Sequence, residues 1–186
     1  MVKVKTCVFI SGKGTNLNSL IEYSRNYNFP IKISLIISNN KNAYGLKYAK
    51  KHNIPYKYFG YKNKILFEKK CLNELKKRKI KLLCLAGFMK ILSKNFIKNF
   101  SYKIINIHPS LLPKFKGLNT HKRVLKNKEK ITGCTVHYVN SKLDSGNIIL
   151  QKKILINKND DETSLRKRVL IQEHKLYPKA IISIYR

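Results

Sequence analysis

Short, densely apolar runs recur along this chain, each followed by a longer stretch of mixed character. Lys3 to Ile10, Ile31 to Ser38 and Ile80 to Ala86 are the clearest. Runs of this length without strict alternation are typical of strands covered on both faces of a sheet. Pro55 to Phe59 reads as a shorter strand and Tyr102 to Ile107 as another. Ile131 to Asn140 and Asn147 to Ile156 read as two more, joined by a loop from Ser141 to Gly146. Helical patterns run from Leu17 to about Asn26, from Ala43 to His52 and from Ile65 to Lys79, where Leu66, Cys71 and Leu75 share one face. Thr163 to about Ser183 reads as a terminal helix, interrupted near Pro178. Strands alternating with helices predict an α/β fold, a doubly wound and mainly parallel sheet with helices on both faces. With no repeat and no linker, one domain over residues 1–186 is expected.

Composition adds limits. A hydrophobic content of 43% is enough to bury a core, and no apolar run is long enough to span a bilayer. Met1-Val2-Lys3-Val4-Lys5 leads straight into a strand-like run and lacks a secretory apolar region with a cleavage site. Cys7, Cys71, Cys84 and Cys134 show no C-x-x-C pairing and fall in apolar surroundings, so they read as reduced core thiols, with no metal site in their spacing. A cytoplasmic protein is expected. The net charge of +31 would fit a nucleic-acid or membrane partner. Yet the lysines are spread along the whole chain, whereas electrostatic footprints are usually localised. Abundant Lys, Asn, Ile and Tyr with scarce Gly and no Trp is the signature of compositional drift. No specific nucleic acid and no membrane partner are expected, and a basic RNA-binding protein on the same fold is the alternative of a different class.

Drift of this kind makes the eight glycines informative. Gly12 and Gly14 lie in Ser11-Gly12-Lys13-Gly14-Thr15-Asn16, a strand-to-helix turn where backbone amides can receive a phosphate; an ordinary tight turn is the competing reading. Gly87 ends a strand, and Gly117, Gly133 and Gly146 surround the most distinctive octet, Asn106-Ile107-His108-Pro109-Ser110-Leu111-Leu112-Pro113. Asn106 and His108 sit at the end of a strand and, two apart, project from one face. Pro109 keeps His108 extended, and the C-terminal ends of strands are where open α/β sheets bind ligands. Asp144, one of nine acidic residues, precedes a glycine turn. Turn chemistry alone explains an Asp there. If it pairs with His108 instead, it raises the imidazole pKa above the ordinary value of about 6.5. Asn, His and Asp with no Ser or Cys nucleophile nearby point to acyl transfer directly between two bound substrates, the amide donating to a developing oxyanion. Ser110 reads as a loop hydrogen bonder and His137 as a structural residue on a strand face. His121 and His174 either touch substrate or orient loops.

Taken together, these segments resemble the folate-dependent phosphoribosylglycinamide formyltransferases. Ser11 to Leu17 resembles that family's phosphate loop, and Leu85-Ala86-Gly87-Phe88-Met89-Lys90-Ile91-Leu92-Ser93 its folate strand end. Asn106 to Pro113, Gly133 to Val139, Leu143-Asp144-Ser145-Gly146 and Gln172-Glu173-His174 follow in the family's order over nearly the whole chain. The resemblance implies transfer of the formyl group of 10-formyltetrahydrofolate to the amine of glycinamide ribonucleotide. It implies Asn106, His108 and Asp144 as catalytic residues, with no metal. Gly14, Thr15 and Asn16 would hold the ribonucleotide phosphate and Glu173 its ribose or amine end. Lys64, Met89, Lys90, Ile91 and Leu92, with Asn140, Ser141, Lys142 and Leu143, would hold the folate. The N-terminal half would carry the ribonucleotide and the C-terminal half folate binding and catalysis, in a monomer or homodimer. Lys64 and Lys90 stand where the family often has Arg, losing the bidentate fork, and Leu170 offers no cation near Glu173. Family chains usually continue past the last helix into another strand pair, so the end at Arg186 reads as a trimmed C-terminus with activity retained. Methionyl-tRNA formyltransferases carry a second C-terminal domain. The formyltetrahydrofolate deformylases, hydrolases of the same donor that carry an extra N-terminal domain and resemble the octet less well at His108-Pro109, are the same-class alternative.

Overall fold

A computed structural model describes residues 2–185; Met1 of the N-terminal run and the final Arg186 lie outside them. Seven strands form one sheet: β1 (Val4–Ile10), β2 (Ile31–Ser38), β3 (Tyr56–Tyr58), β4 (Leu82–Leu85), β5 (Lys103–His108), β6 (Ile131–Tyr138) and β7 (Ile148–Leu155). Their spatial order is β3-β2-β1-β4-β5-β6-β7. The first five are parallel, and β6 and β7 add as an antiparallel pair. The helices are α1 (Thr15–Ser24), α2 (Gly45–Lys51), α3 (Lys64–Lys77), α4 (Lys94–Asn99), α5 (Thr120–Lys126) and α6 (Glu162–Ile184).

The unbroken apolar character of β1 follows from its position. Val8 and Ile10 pack on one face with Leu17, Leu20, Val169 and Tyr177, whereas Cys7 and Phe9 pack on the other with Phe67, Cys71 and Phe96. Alternate side chains of one strand thus enter two separate cores. The four cysteines are free and buried, and burial pushes the Cys84 and Cys134 thiols up to about 12. The proposed ribonucleotide and folate halves share one continuous sheet. Asn16 donates to Glu173, 157 residues away, at 2.7 Å. Among the described residues no helix is long and apolar enough to cross a membrane.

Three features differ from expectation. Helices α4 and α5 have no counterpart in the periodicity, being only 6 and 7 residues long. The start of α4 is set locally: the Ser93 hydroxyl accepts from the Phe96 amide, while Glu68 accepts from the Ser93 amide at 2.7 Å. The third is α6, which runs through Pro178 without a break. Proline removes the bond that the carbonyl four residues earlier, His174, would accept. That carbonyl is taken by the Ser19 hydroxyl of α1 at 2.8 Å, so the helix is satisfied from outside. Ser19→Ala should therefore destabilise the protein by about 1–2 kcal/mol, since it leaves a part-buried carbonyl without a partner. Urea denaturation measures this, and an unchanged midpoint would show that the carbonyl needs no partner.

Candidate functional site

The parallel strands end along one edge of the sheet. There the chain crosses from β1 to its neighbours on both sides, the topological switch point at which ligands bind. Ser11 at the end of β1 and the turn after β4 are joined: the Ser11 amide donates to the Gly87 carbonyl, and the Met89 amide to the Ser11 hydroxyl at 2.8 Å. Next to them, β5 delivers Asn106 and His108. Both line a cavity of about 630 Å³, together with Asp144, as the strand geometry predicted.

The octet's loop is fastened to the antiparallel strands. Thr135 donates to the Ser110 carbonyl at 2.6 Å and accepts from the Leu112 amide, and Gln151 donates to the Leu112 carbonyl at 2.8 Å. Ser110 is fully buried and donates to the Lys114 carbonyl, the loop role expected of it. The chain then turns through Phe115, whose φ of 55° is unusual for a bulky residue. That turn aims the Phe115 carbonyl at His108 Nε2, 2.9 Å away. The Gly117 amide donates to Asp144 Oδ2 at 2.8 Å, and the same oxygen lies 3.4 Å from His108 Nδ1.

His108 and Asp144 are thus paired, but the expected rise in the imidazole pKa does not follow. Burial pushes His108 down, and this outweighs the upward pull of Asp144 and of the Phe115 carbonyl. Because a carbonyl only accepts, the neutral ring carries its proton on Nε2. Its Nδ1 lone pair then faces Asp144, and that contact becomes a hydrogen bond only when the ring gains a proton. Asp144 is opposite in character. Burial pushes it up, but His137, the Gly117 amide and the His108 ring, the two imidazoles acting in their protonated forms, together hold its carboxyl below the usual range.

His137 has more to do than expected of a face residue. Its Nδ1 lies 2.8 Å from the Tyr138 carbonyl and so carries the proton, leaving Nε2 to accept from Asn106 Nδ2 at 3.2 Å. The buried ring fixes which way the Asn106 amide points, and its Nε2 lies 3.6 Å from Asp144 Oδ1. The signal for this role is the antiparallel register, in which Asn106 faces His137 directly.

The other expected residues divide. Met89, Lys90, Ile91 and Leu143 line the main cavity; Leu92, Asn140 and Lys142 line a smaller one of about 90 Å³ that shares Asn106 and Asp144 with it. Met89, Ile91, Leu118 and Leu143 are exposed large apolar residues gathered on one cavity rim, the mark of a binding surface. Lys90 lies over the Tyr61 ring at 5.0 Å. Lys64, at the start of α3, and Ser141 line neither cavity. Gly14, Thr15, Asn16 and Glu173 form a neighbouring group rather than cavity wall. Gly14 has φ 71°, and a Cβ there would meet the Gly45 backbone at 2.5 Å, so packing alone demands this glycine. Glu173 is buried, and burial pushes its carboxyl up against the pull of Asn16, whose Oδ1 is itself buried without a partner. His121 also lines the main cavity, whereas His174 does not.

Residues 4–181 match the formyl transferase family. The chain belongs to that family. It is 41% identical over 180 residues to the phosphoribosylglycinamide formyltransferase of Haemophilus influenzae, covering 95% of this chain and 85% of that one. It is 41% identical over 182 residues to the human trifunctional purine biosynthetic protein adenosine-3, of whose length it spans 18%. Among solved structures, phosphoribosylglycinamide formyltransferase from Anaplasma phagocytophilum superposes with a TM-score of 0.93 at 41% identity, over 98% of this chain and 87% of that one. The enzyme of that name from Campylobacter jejuni gives 0.93 at 34% identity, over 100% and 99%.

The depressed pKa values carry a stability consequence. His108 titrates lower in the folded chain than the ordinary 6.5, so the unfolded chain takes up that proton first as pH falls. The stability is fully present above about pH 6.5 and is lost as the pH drops below it; Asp144 adds a further loss below about 3.8. Wild type should lose stability between about pH 7.5 and 5, and His108→Asn should lose less of it. Urea titrations at the two pH values test this, and equal losses would remove His108 as a source.

Proposed function

We propose that this chain transfers the formyl group of 10-formyltetrahydrofolate to the amine of glycinamide ribonucleotide, in purine synthesis. The observation that carries the reading is chemical. An oriented amide and a buried His–Asp pair share one apolar-rimmed cavity, and no serine or cysteine lines it among the described residues. A site with an oxyanion donor and a proton carrier but no serine or cysteine nucleophile suits direct transfer between two bound substrates.

One Asn106 N–H is engaged by His137, leaving the other to donate to the oxygen that gains charge as the amine attacks the formyl carbon. His108, unprotonated at rest, takes up the proton released by the attacking amine through an intervening water. The imidazolium then completes its hydrogen bond to Asp144 and stabilises the neighbouring oxyanion. As the tetrahedral intermediate collapses, the proton passes to the leaving folate nitrogen, which restores the neutral ring. The folate ring would lie against Met89, Lys90, Ile91 and Leu92 and the Asn140, Ser141, Lys142 and Leu143 loop. The apolar walls supplied by Leu85, Phe88 and Val139 fit a flat ring. Lys64 and Lys90 would meet its carboxylates as point charges. The ribonucleotide phosphate would rest on the amides of Gly14, Thr15 and Asn16 at the start of α1. Glu173 would serve the ribose or amine end, where the unpartnered Asn16 Oδ1 offers an acceptor for a substrate hydroxyl or amine.

The decisive assay mixes the chain with glycinamide ribonucleotide and a 10-formylfolate donor and follows release of deformylated folate. Release that requires the ribonucleotide is expected; release without it identifies a hydrolase. RNA binding that survives physiological salt, with no folate turnover, identifies a binding protein. His108→Ala or Asp144→Ala should lower turnover by about 100-fold or more while circular dichroism stays native. Wild-type turnover in either variant would contradict the assignment.

A further inference from the structure

The segment between β5 and α5 touches both members of the His108–Asp144 pair. Its Phe115 carbonyl accepts from His108, and its Gly117 amide donates to Asp144. Lys116 lies between those two contacts and is half-buried. Its Nζ donates to the Ser145 hydroxyl at 2.7 Å, 29 residues away on the loop that carries Asp144. The Ser145 hydroxyl in turn donates to the Leu143 carbonyl at 2.7 Å. One hydroxyl thus accepts from Lys116 and, by donating to Leu143, closes a turn across Asp144. The backbone of Lys116 is fixed as well: Arg123 Nη2 donates to its carbonyl, and the same guanidinium lies over the Phe115 ring at 5.8 Å.

Asp144 has a φ of 44°, in the left-handed region, and Phe115 has 55°. Both turns sit away from their intrinsic minima and persist only where surrounding contacts over-determine them. A lysine on a loop normally keeps its ammonium in water and its rotamers free. Here the ammonium is spent on a charge-assisted bond across two loops, and that bond joins the carrier of the Phe115 carbonyl to the carrier of Asp144. We propose that Lys116 is a positioning residue for the formyl-transfer centre, its ammonium clasping Ser145 so that the Asp144 loop stays seated against His108. This rests on the function proposed above.

The test compares Lys116→Met, Ser145→Ala and the double variant in two ways. Steady-state turnover is measured with both substrates, and the His108 ring is titrated by 15N NMR in the substrate-free chain. Each single variant should lower kcat about tenfold, with KM for either substrate within about twofold, as a loosened catalytic pair rather than a lost binding contact would do. The double variant should fall no further than the worse single, because both remove one contact. The His108 midpoint should move to lower pH, since a displaced Asp144 no longer pulls it up. Wild-type kcat with an unmoved midpoint in Lys116→Met would overturn the proposal, as would additive losses. If Lys116→Met fails to fold, Ser145→Ala answers the same question with the lysine left in place. A wild-type chain without ribonucleotide-dependent turnover would refute the functional reading alone, because the titration reads the clasp without any substrate.

Discussion

His108 is a buried imidazole with an acceptor at each ring nitrogen, and most of the architecture around the cavity serves that one arrangement. A neutral ring can satisfy only one of its two neighbours. The Phe115 carbonyl is the closer, so Asp144 faces a lone pair until a proton arrives. Burial keeps that proton off the ring, and the carboxylate pulls the other way and would hold it once it arrived. The opposite tendencies of the two partners are therefore complementary. Asp144 keeps the Gly117 amide as a donor in either state of His108, and gains a second donor when that ring takes up a proton.

Holding two acceptors against one ring needs backbone in unfavoured shapes. Phe115 and Asp144 both adopt positive φ, and each stands next to a contact that holds it there. The rigid part is the sheet. Thr135 on β6 and Gln151 on β7 grip the octet's loop by its backbone, while His137 on β6 sets the Asn106 amide. The antiparallel pair added to the parallel sheet thereby acts as the jig for the site. The Tyr177 hydroxyl lies 3.1 Å from the carbonyls of both Leu85, at the end of β4, and Ile105, within β5, and so ties α6 to the two central strands.

What the sequence disclosed follows from what is local. Asn106 and His108 could be placed on one side of a strand end because a short apolar run and Pro109 settle the backbone there. Apolar runs gave the sheet, since a strand covered on both faces needs no alternation. Helix α4 escaped because six residues hold too little periodicity, although Ser93 three residues before Phe96 was a readable capping signal. Pro178 misled for a different reason. Its consequence depends on Ser19, 159 positions away in sequence, and only tertiary structure reveals that partner. The direction of the His108 pKa was hidden in the same way. The pairing with Asp144 was inferred from residue types, but the competing term is burial, a property of the assembled fold. His137 became informative only once the antiparallel register set it opposite Asn106.

The charge of +31 acts on a different length scale from these contacts. Spread over the whole surface, it attracts anions of every kind, and in salt near 0.15 M it is screened beyond about 8 Å. Such a field raises encounter rates without discriminating between a nucleotide, a folate tail and RNA. Discrimination has to come from where the charge stops. Around the His108–Asp144 pair the two cavities hold the cations Lys90, Lys142 and Arg166 and the carboxylates Asp144 and Glu162, and the Asp144 carboxylate lies against a ring that burial keeps neutral. A phosphate or carboxylate pressed against Asp144 itself would meet a like charge. Substrates whose charges lie at their ends, with neutral reacting groups between, are the ones this distribution admits in a productive pose.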